Sequence, residues 1–149
     1  MNLFFDTSAL VKFFHEEEGS EVVTRLITSQ ENEIWISELV RLEFMSALFR
    51  RFRNREINDK QLREAISGFN EEISFFNVEL LRQSVIKEAE SLLKKYGKTQ
   101  GLRTLDALYL GAFSLIAEEE WSFVAADETL CKVIQLIGFK AINPLKRAQ

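Results

Sequence analysis

Several residue types are scarce in this chain of 149 residues, and each shortage excludes a class of protein. One cysteine, Cys131, excludes a disulfide-stapled scaffold, because such a scaffold needs pairs of cysteines. One proline and six glycines leave too little for a flexible linker or a low-complexity segment. No apolar run approaches the roughly 18 residues of a membrane span, and the start reaches Asp6 without the basic segment of a secretory signal. We therefore expect a soluble, cytoplasmic protein with no membrane contact.

Positive charge is also in short supply. The chain has 19 Lys and Arg against 23 Asp and Glu, which gives a net charge of −4 and a pI of about 5.2. Nucleic-acid-binding proteins usually carry a basic surface, so the overall charge argues against one. The argument fails if several acids converge on one site and bind a cation there. The positions of the acids therefore decide the functional interpretation.

The apolar residues alternate between short runs and longer helical patterns. The length predicts one domain over residues 1–149, and 46% hydrophobic residues are enough for a core. Apolar and β-branched runs predict strands over residues 3–5, 34–36, 75–78, 121–126 and 139–142. Helical patterns cover residues 7–14, 21–29, 37–55, 59–72, 80–96, 104–116 and 129–137, with Ser37 as the N-cap of the third helix and Gly97 ending the fifth. The alternation predicts an α/β fold, a three-layer α/β/α sandwich with a central, mostly parallel sheet of four to five strands.

Two acids directly follow predicted strands. Asp6 comes after the first strand and Asp127 after the fourth, and ligands of open parallel sheets bind beyond the carboxyl ends of the strands. Each position also has a structural explanation, since Asp is a favoured N-cap of the helix that follows. Either residue alone therefore leaves both readings open.

Two further acids interrupt apolar helix patterns. Glu43 shares a helix face with Leu39, Val40 and Ala47, where a carboxylate is unfavourable unless it is paired, bound to metal or able to reach solvent. Asp106 lies in the first turn of a helix that is apolar nearly all round. A favourable interaction with the helix N-terminus, of about 0.5 kcal/mol, is the alternative explanation for Asp106.

The four acids together predict a cation site. If they converge to about 6 Å, each pair repels by about 2–3 kcal/mol at an effective dielectric constant near 20, so the cluster must protonate or bind a cation. Oxygen-only ligands select Mg²⁺ or Mn²⁺, and no Cys/His spacing indicates zinc. An ion of this kind suits phosphoryl chemistry.

Four segments resemble the PIN domain, and most of all the VapC-type toxins of prokaryotic toxin–antitoxin pairs. They are Leu-Phe-Phe-Asp-Thr-Ser-Ala-Leu-Val (3–11), Leu-Val-Arg-Leu-Glu-Phe (39–44), Leu-Arg-Thr-Leu-Asp-Ala-Leu-Tyr-Leu-Gly-Ala (102–112) and Phe-Val-Ala-Ala-Asp-Glu-Thr-Leu (123–130). They occur in the family's order and span nearly the whole chain. The resemblance implies an α/β/α fold, a metal-dependent endoribonuclease that leaves a 5′-phosphate and a 3′-hydroxyl, and inhibition by a cognate antitoxin protein.

The resemblance also assigns site residues. The family's acidic quartet, which is catalytic and binds the metal, matches Asp6, Glu43, Asp106 and Asp127. Ser8 matches the small hydroxyl residue after the first Asp. Many relatives carry a further Asp where this chain has Thr129, which is assigned with Ser8 as a supporting residue of the site. We therefore expect one tightly bound Mg²⁺ or Mn²⁺, with a second ion arriving, if at all, with the substrate.

Basic and aromatic residues suggest contacts with partners. Arg50 and Arg51 end the Glu43 helix, while Lys98 and Arg103 lead into the Asp106 helix, and all four are candidates for contact with RNA or a protein partner. Thirteen Phe exceed the evident need of a small core, so some are expected on a homodimer face or in an antitoxin groove.

Other readings of the acids stay open at this point. They are a structure-specific nuclease, a phosphatase, a phospho-receiver domain and a PIN-like module that binds nucleic acid or protein without catalysis. Aspartyl-phosphate phosphatases carry a second Asp where this chain has Ser8. Receivers carry two adjacent acids after the first strand and a Lys after the last, whereas Asp6 stands alone.

Overall fold

A computed structural model describes residues 1–146; residues 147–149 of the predicted domain lie outside the described part. Within it, helices and strands alternate as β1 (Asn2–Phe5), α1 (Thr7–Phe14), α2 (Ser20–Thr28), β2 (Glu33–Ser37), α3 (Leu39–Arg53), α4 (Asp59–Ile73), β3 (Asn77–Glu79), α5 (Gln83–Gln100), α6 (Thr104–Ile116), β4 (Ser122–Val124), α7 (Glu128–Ile137) and β5 (Lys140–Ile142). None of the helices of residues 1–146 combines the length and the apolar character needed to cross a membrane.

The five strands form one sheet in the order β3-β2-β1-β4-β5, and every neighbouring pair is parallel. Phe5, at the end of β1, pairs with Ile36 of β2 on one side and Val124 of β4 on the other. The chain builds outward from β1 to β3 and then returns to the other side of β1. The predicted α/β/α fold with a parallel sheet is therefore confirmed, and the strand order reverses between β1 and β4.

The helices cover the two faces of the sheet in separate layers. Helices α1 to α4 contact one another on one face, whereas α5 contacts α6 and α7 on the other. The phenylalanines follow this division. Phe14 and Phe44 pack on Phe69 between α1, α3 and α4, and the Phe44 and Phe69 rings stack with centroids 4.0 Å apart. Phe4, Phe113, Phe123 and Phe139 form the aromatic contacts of the opposite layer.

Helix α5 differs from the prediction at both ends. It begins at Gln83 because the Leu81 backbone N–H donates to the Glu38 carboxylate, which keeps the segment after β3 extended. It continues through Gly97, which was predicted to end it, and stops after Gln100. The chain turns at Gly101 instead, where φ is +68°, a left-handed conformation that glycine adopts without strain. A glycine inside a helix costs only about 1 kcal/mol, which packing can offset.

Two other boundaries also shift. The predicted third strand begins later, at Asn77, because the N–H groups of Phe75 and Phe76 bond to carbonyls at the end of α4. Ser37, predicted as the N-cap of the Glu43 helix, is the last residue of β2. Its hydroxyl accepts from the Leu39 backbone N–H, so it still marks the start of α3. Local hydrogen bonds, rather than hydrophobic pattern, set these limits.

Helices α5 and α6 approach closely at Gly111. A Cβ atom built there would lie 2.9 Å from the Val85 carbonyl oxygen and 3.1 Å from the Ala89 nitrogen. Both are backbone atoms of α5, which cannot rotate away as a side chain can. Because α6 carries Asp106 in its first turn, this close packing also sets the position of that acid.

Gly111→Ala should lower the free energy of unfolding by about 1–3 kcal/mol, because the added methyl group forces the α5 and α6 backbones apart. Gly68→Ala, in helix α4, is the matched control, since a Cβ there meets nothing within 4 Å. It should raise stability by about 0.5–1 kcal/mol through the usual preference of helices for alanine. Urea denaturation of both variants measures the difference. Equal stability of the two variants would contradict the close-packing interpretation.

Candidate active site

Four acids from four different elements meet at the carboxyl edge of the sheet, where the strand order reverses. Asp6 follows β1, Asp127 follows β4, Glu43 lies in α3 and Asp106 in α6. They line one pocket of about 430 Å³. The remaining lining residues are Thr7, Ser8, Arg103, Thr104, Leu105 and Tyr109. The structure thus brings together all four acids that the sequence indicated, together with Ser8 and Arg103.

Asp6 is fixed by the turn between β1 and α1. Its backbone N–H donates to the Val124 carbonyl at 3.1 Å, and its side chain accepts from the Ala9 N–H at 3.1 Å as the N-cap of α1. The Ser8 hydroxyl lies 2.8 Å from both carboxylate oxygens and donates to them, while it accepts from the Ala126 N–H at 3.0 Å. Ser8 therefore ties the turn after β1 to the turn after β4.

Asp127 and Asp106 each lie at the start of a helix. Asp127 is the N-cap of α7, and its carboxylate accepts from the Leu130 N–H at 3.0 Å. Asp106 accepts from the Arg103 backbone N–H at 3.4 Å, and the Arg103 Nε lies 3.8 Å from the same oxygen. The Arg103 side chain is 84% exposed, so this ion pair is screened by water and weak. The capping roles weighed from sequence are real, and they place the carboxylates at the pocket wall.

Glu43 is bound by two hydroxyl groups that the sequence did not single out. The Thr7 hydroxyl donates to Glu43 Oε1 at 3.0 Å, and the Tyr109 hydroxyl makes a short hydrogen bond to the same oxygen. Thr7 and Tyr109 are themselves 2.6 Å apart. In the sequence, Tyr109 looks like one more apolar residue of the nearly all-apolar helix α6, so its hydroxyl group attracts no attention. Its position one turn after Asp106 was the signal that could have revealed it.

Burial disfavours ionisation within this pocket. Burial raises the pKa of Asp6 to about 7, with smaller contributions from the charges of Asp127 and Glu43, and the hydrogen bonds from Ser8 and Ala9 only partly oppose this. Burial also raises the pKa of Asp106. The pKa of Tyr109 rises as well, first through burial and then through its hydrogen bond to Glu43, so its hydroxyl keeps its proton. A buried carboxylate of this kind is favoured in its charged form by a nearby cation.

The donor atoms suit a hard divalent cation, but their arrangement is not that of a finished metal site. Carboxylate oxygens are the ligands that Mg²⁺ and Mn²⁺ prefer. Across residues 1–146, however, no group of three or more His, Cys, Asp or Glu side chains is arranged to bind an ion. Asp6, Glu43 and Asp127 accept hydrogen bonds from the protein instead. Binding an ion here therefore requires some of the carboxylates to move closer to one another.

A larger groove of about 880 Å³ adjoins the acid pocket between α1, α3 and α4. The two share Thr7, Ser8, Glu43 and Leu105 as lining residues. The groove is mainly apolar and includes Phe14, Phe44, Leu48, Ile57 and Phe69. Arg50 and Arg51 line it as well, and Arg51 Nη1 lies 3.0 Å from His15 Nδ1. Arg50 and Arg51 thus line a groove that is adjacent to the acid pocket.

Two further sequence-predicted residues, unlike Arg50 and Arg51, line neither the groove nor the acid pocket. Thr129 is exposed in the first turn of α7, and Lys98 is exposed near the end of α5. Neither lines the pocket of the four acids. The chain direction explains the position of Thr129, because α7 leads away from the pocket after the cap at Asp127.

Comparisons with solved structures find the same fold in several bacterial proteins. A toxin–antitoxin complex from Klebsiella pneumoniae is 19% identical, with a TM-score of 0.61 over 95% of this chain and 97% of that one. FitAcB from Neisseria gonorrhoeae is 14% identical, with a TM-score of 0.73 over 95% and 97%. VapC20 from Mycobacterium tuberculosis, described as a sarcin-ricin loop cleaving toxin, is 17% identical, with a TM-score of 0.68 over 95% and 99%.

At these identities, the solved structures show the fold alone. The search of curated proteins found no match. A family model supplies the assignment, because the PIN domain matches residues 3–134, which is most of the chain and includes all four acids. The chain therefore belongs to the PIN domain family.

Proposed function

We propose that this protein is a divalent-metal-dependent endoribonuclease and the toxin of a toxin–antitoxin pair. Membership of the PIN family supports a nuclease, a hydrolase of phosphodiester bonds, as its general class. The observation that carries the more specific proposal is the meeting of Asp6, Glu43, Asp106 and Asp127 around one pocket at the reversal of strand order. Ligands of open parallel sheets bind at this place.

The electrostatics of the pocket support a cation as part of the active state. Asp6 is only 6% exposed, and burial opposes its ionisation. The nearest basic side chain among the lining residues, Arg103, points largely into solvent. A bound Mg²⁺ or Mn²⁺ would compensate the carboxylate charges, and it would supply an activated water and neutralise charge on the phosphodiester.

The four acids and Ser8 have proposed roles in the pocket. Asp6, Glu43, Asp106 and Asp127 would bind the ion after moving closer to one another than they lie here. Ser8 orients Asp6 through its hydroxyl. Thr129 lies exposed in the first turn of α7 and has no carboxylate. The lack of a further acid at this position supports one tightly bound ion rather than two.

The basic residues would attract the substrate. Arg103 lies beside Asp106 at the rim of the pocket, where it can contact a phosphate of the RNA. Arg50 and Arg51 line the adjoining groove and are proposed to contact RNA or the protein partner. Lys98, exposed in the last part of α5 before Arg103, is proposed as a more distant RNA contact. These contacts would act against the net charge of −4.

The proposed partner is a cognate antitoxin. The Klebsiella structure is a toxin–antitoxin complex, and the Neisseria and Mycobacterium proteins have the same fold. The apolar groove beside the acids offers a surface for a segment of that antitoxin. We further propose that the protein is cytoplasmic and forms a homodimer. The homodimer is supported by exposed apolar side chains such as Leu42 and Phe75, which are 70% and 78% exposed.

A second candidate is a PIN module that binds nucleic acid or protein without catalysis. The specific observation in its favour is that, across residues 1–146, no three His, Cys, Asp or Glu side chains are arranged so that they could hold an ion. The two candidates differ in a measurable way, because only the nuclease needs the metal for turnover.

Cleavage of a mixed RNA substrate should require Mn²⁺ or Mg²⁺ and should stop in EDTA. Asp106→Asn should lower the rate more than about 100-fold, because even the loss of a group that only supports a metal ligand reduces activity about 10- to 100-fold. The readout is the appearance of fragments with 5′-phosphate ends on a gel.

Asp59→Asn is the matched control, since Asp59 is the one Asp of the chain outside the pocket and is exposed at the start of α4. It should cleave at the wild-type rate. Equal cleavage by the wild type and Asp106→Asn would contradict the proposed site. Absence of cleavage, combined with RNA binding that is indifferent to metal, would favour the binding module.

Asp6→Asn should stabilise the metal-free protein increasingly as the pH rises from 4 to 8. The pKa of Asp6 is raised from 3.8 to about 7, so the folded state binds a proton more tightly than the unfolded state, and stability falls as pH rises through this window. Asparagine keeps the capping oxygen but carries no charge. Three pKa units correspond to about 4 kcal/mol, which is the upper bound of the gain. Urea denaturation in EDTA at pH 4 and at pH 8 measures the gain in stability. An equal gain at both pH values would contradict the raised pKa of Asp6.

A further inference from the structure

The hydrogen bonds to Glu43 are concentrated on one of its two oxygens. Oε1 accepts from both Thr7 and Tyr109, whereas Oε2 accepts no hydrogen bond from the described residues. The donors come from different parts of the chain, since Thr7 begins α1 and Tyr109 lies in α6 on the opposite layer. One oxygen atom of the Glu43 carboxylate thus accepts hydrogen bonds from helices on both faces of the sheet.

A count of protons shows which contacts are hydrogen bonds. Three oxygen atoms, those of Thr7, Tyr109 and Glu43 Oε1, lie in mutual contact. Two hydroxyl protons are available to them, so at most two of the three contacts are hydrogen bonds at one time. Hydrogen bonds to an ionised acceptor are the stronger kind. Both protons are therefore best used on Glu43, and the contact between the two hydroxyls follows from their common acceptor.

The Tyr109 hydroxyl has no other evident purpose in the core. Its ring is 3% exposed in a helix whose buried neighbours, among them Ala107, Leu110 and Phe113, are apolar. A phenylalanine would supply the same ring to that core. A buried hydroxyl is unfavourable unless it is hydrogen-bonded, and its partners within the described residues are Glu43 and Thr7.

We infer that Tyr109 and Thr7 are positioning residues that hold Oε1 of Glu43 and thereby leave Oε2 to ligate the divalent cation. The inference rests on the proposed function, because it assumes that Glu43 binds the ion. A glutamate has three rotatable side-chain bonds, and fixing one oxygen reduces the rotamer freedom that is lost when an ion binds. Groups that orient a metal ligand in this way raise the affinity for the metal.

Tyr109→Phe tests this role, because it removes one hydroxyl and keeps the ring. The probe is MnCl₂ added to the purified protein, and the readout is the rise in melting temperature with Mn²⁺ concentration, which reports binding without any turnover. The variant should need about tenfold more Mn²⁺ for the same rise. Tyr96→Phe is the matched control, because Tyr96 is the only other tyrosine and lies buried in α5, away from the pocket. It should respond as the wild type does.

Thr7 offers a conservative rescue. Thr7→Val removes the hydroxyl at nearly constant volume and should also raise the Mn²⁺ requirement. Thr7→Ser keeps the hydroxyl and should restore the wild-type response. A structural role for Thr7 at the start of α1 would instead change the melting temperature equally with and without Mn²⁺.

The decisive comparison uses Glu43→Gln as a background. In that background, Tyr109→Phe should change the Mn²⁺ response no further, because the residue acts only through Glu43. A wild-type response of Tyr109→Phe, combined with a lost response of Glu43→Gln, would overturn the positioning role and leave the metal site intact. A wild type that does not respond to Mn²⁺ at all would overturn the proposed metal dependence itself, and the positioning role with it.

Discussion

The parallel pairing of β1 with β4 is the constraint on which the rest of the molecule depends. The sheet grows from β1 in both directions, so the connections on either side of this pair leave it toward opposite faces. A crevice opens between them at the carboxyl edge, and the backbone of Asp6 bonds across it to Val124. Ser8 makes a second bridge, to Ala126. These two links fix the turns that carry Asp6 and Asp127.

The fold could be predicted from the sequence because its strongest signal, the spacing of apolar residues, is contained in short stretches of chain. Short β-branched and aromatic runs between amphipathic helices permit few architectures, and right-handed crossovers remove most of the others. The errors fell where a few hydrogen bonds compete with the hydrophobic pattern. Gly97 was predicted to end α5, but the helix continues through it to Gln100. Phe75 and Phe76 have strand-like side chains, but their backbones finish α4.

The acids of the site were visible in the sequence because each contradicts its surroundings: Glu43 and Asp106 lie on apolar helices, and Asp6 and Asp127 end buried strands. Their partners were not visible for the opposite reason. Tyr109 agrees with its apolar neighbours when only hydrophobicity is considered, and Thr7 looks like an ordinary first residue of a helix. Only three-dimensional placement shows that both hydroxyls reach one oxygen atom from opposite layers. Residues that support a site are therefore harder to predict than residues that break a pattern.

The groove and the acid pocket share four lining residues, which are Thr7, Ser8, Glu43 and Leu105. A molecule that fills the groove touches the same walls as a molecule in the pocket. By reciprocity, whatever factor the first imposes on the affinity of the second is imposed in return. Any such coupling would pass through these shared side chains and would need no movement of the sheet. It is a property of one common wall.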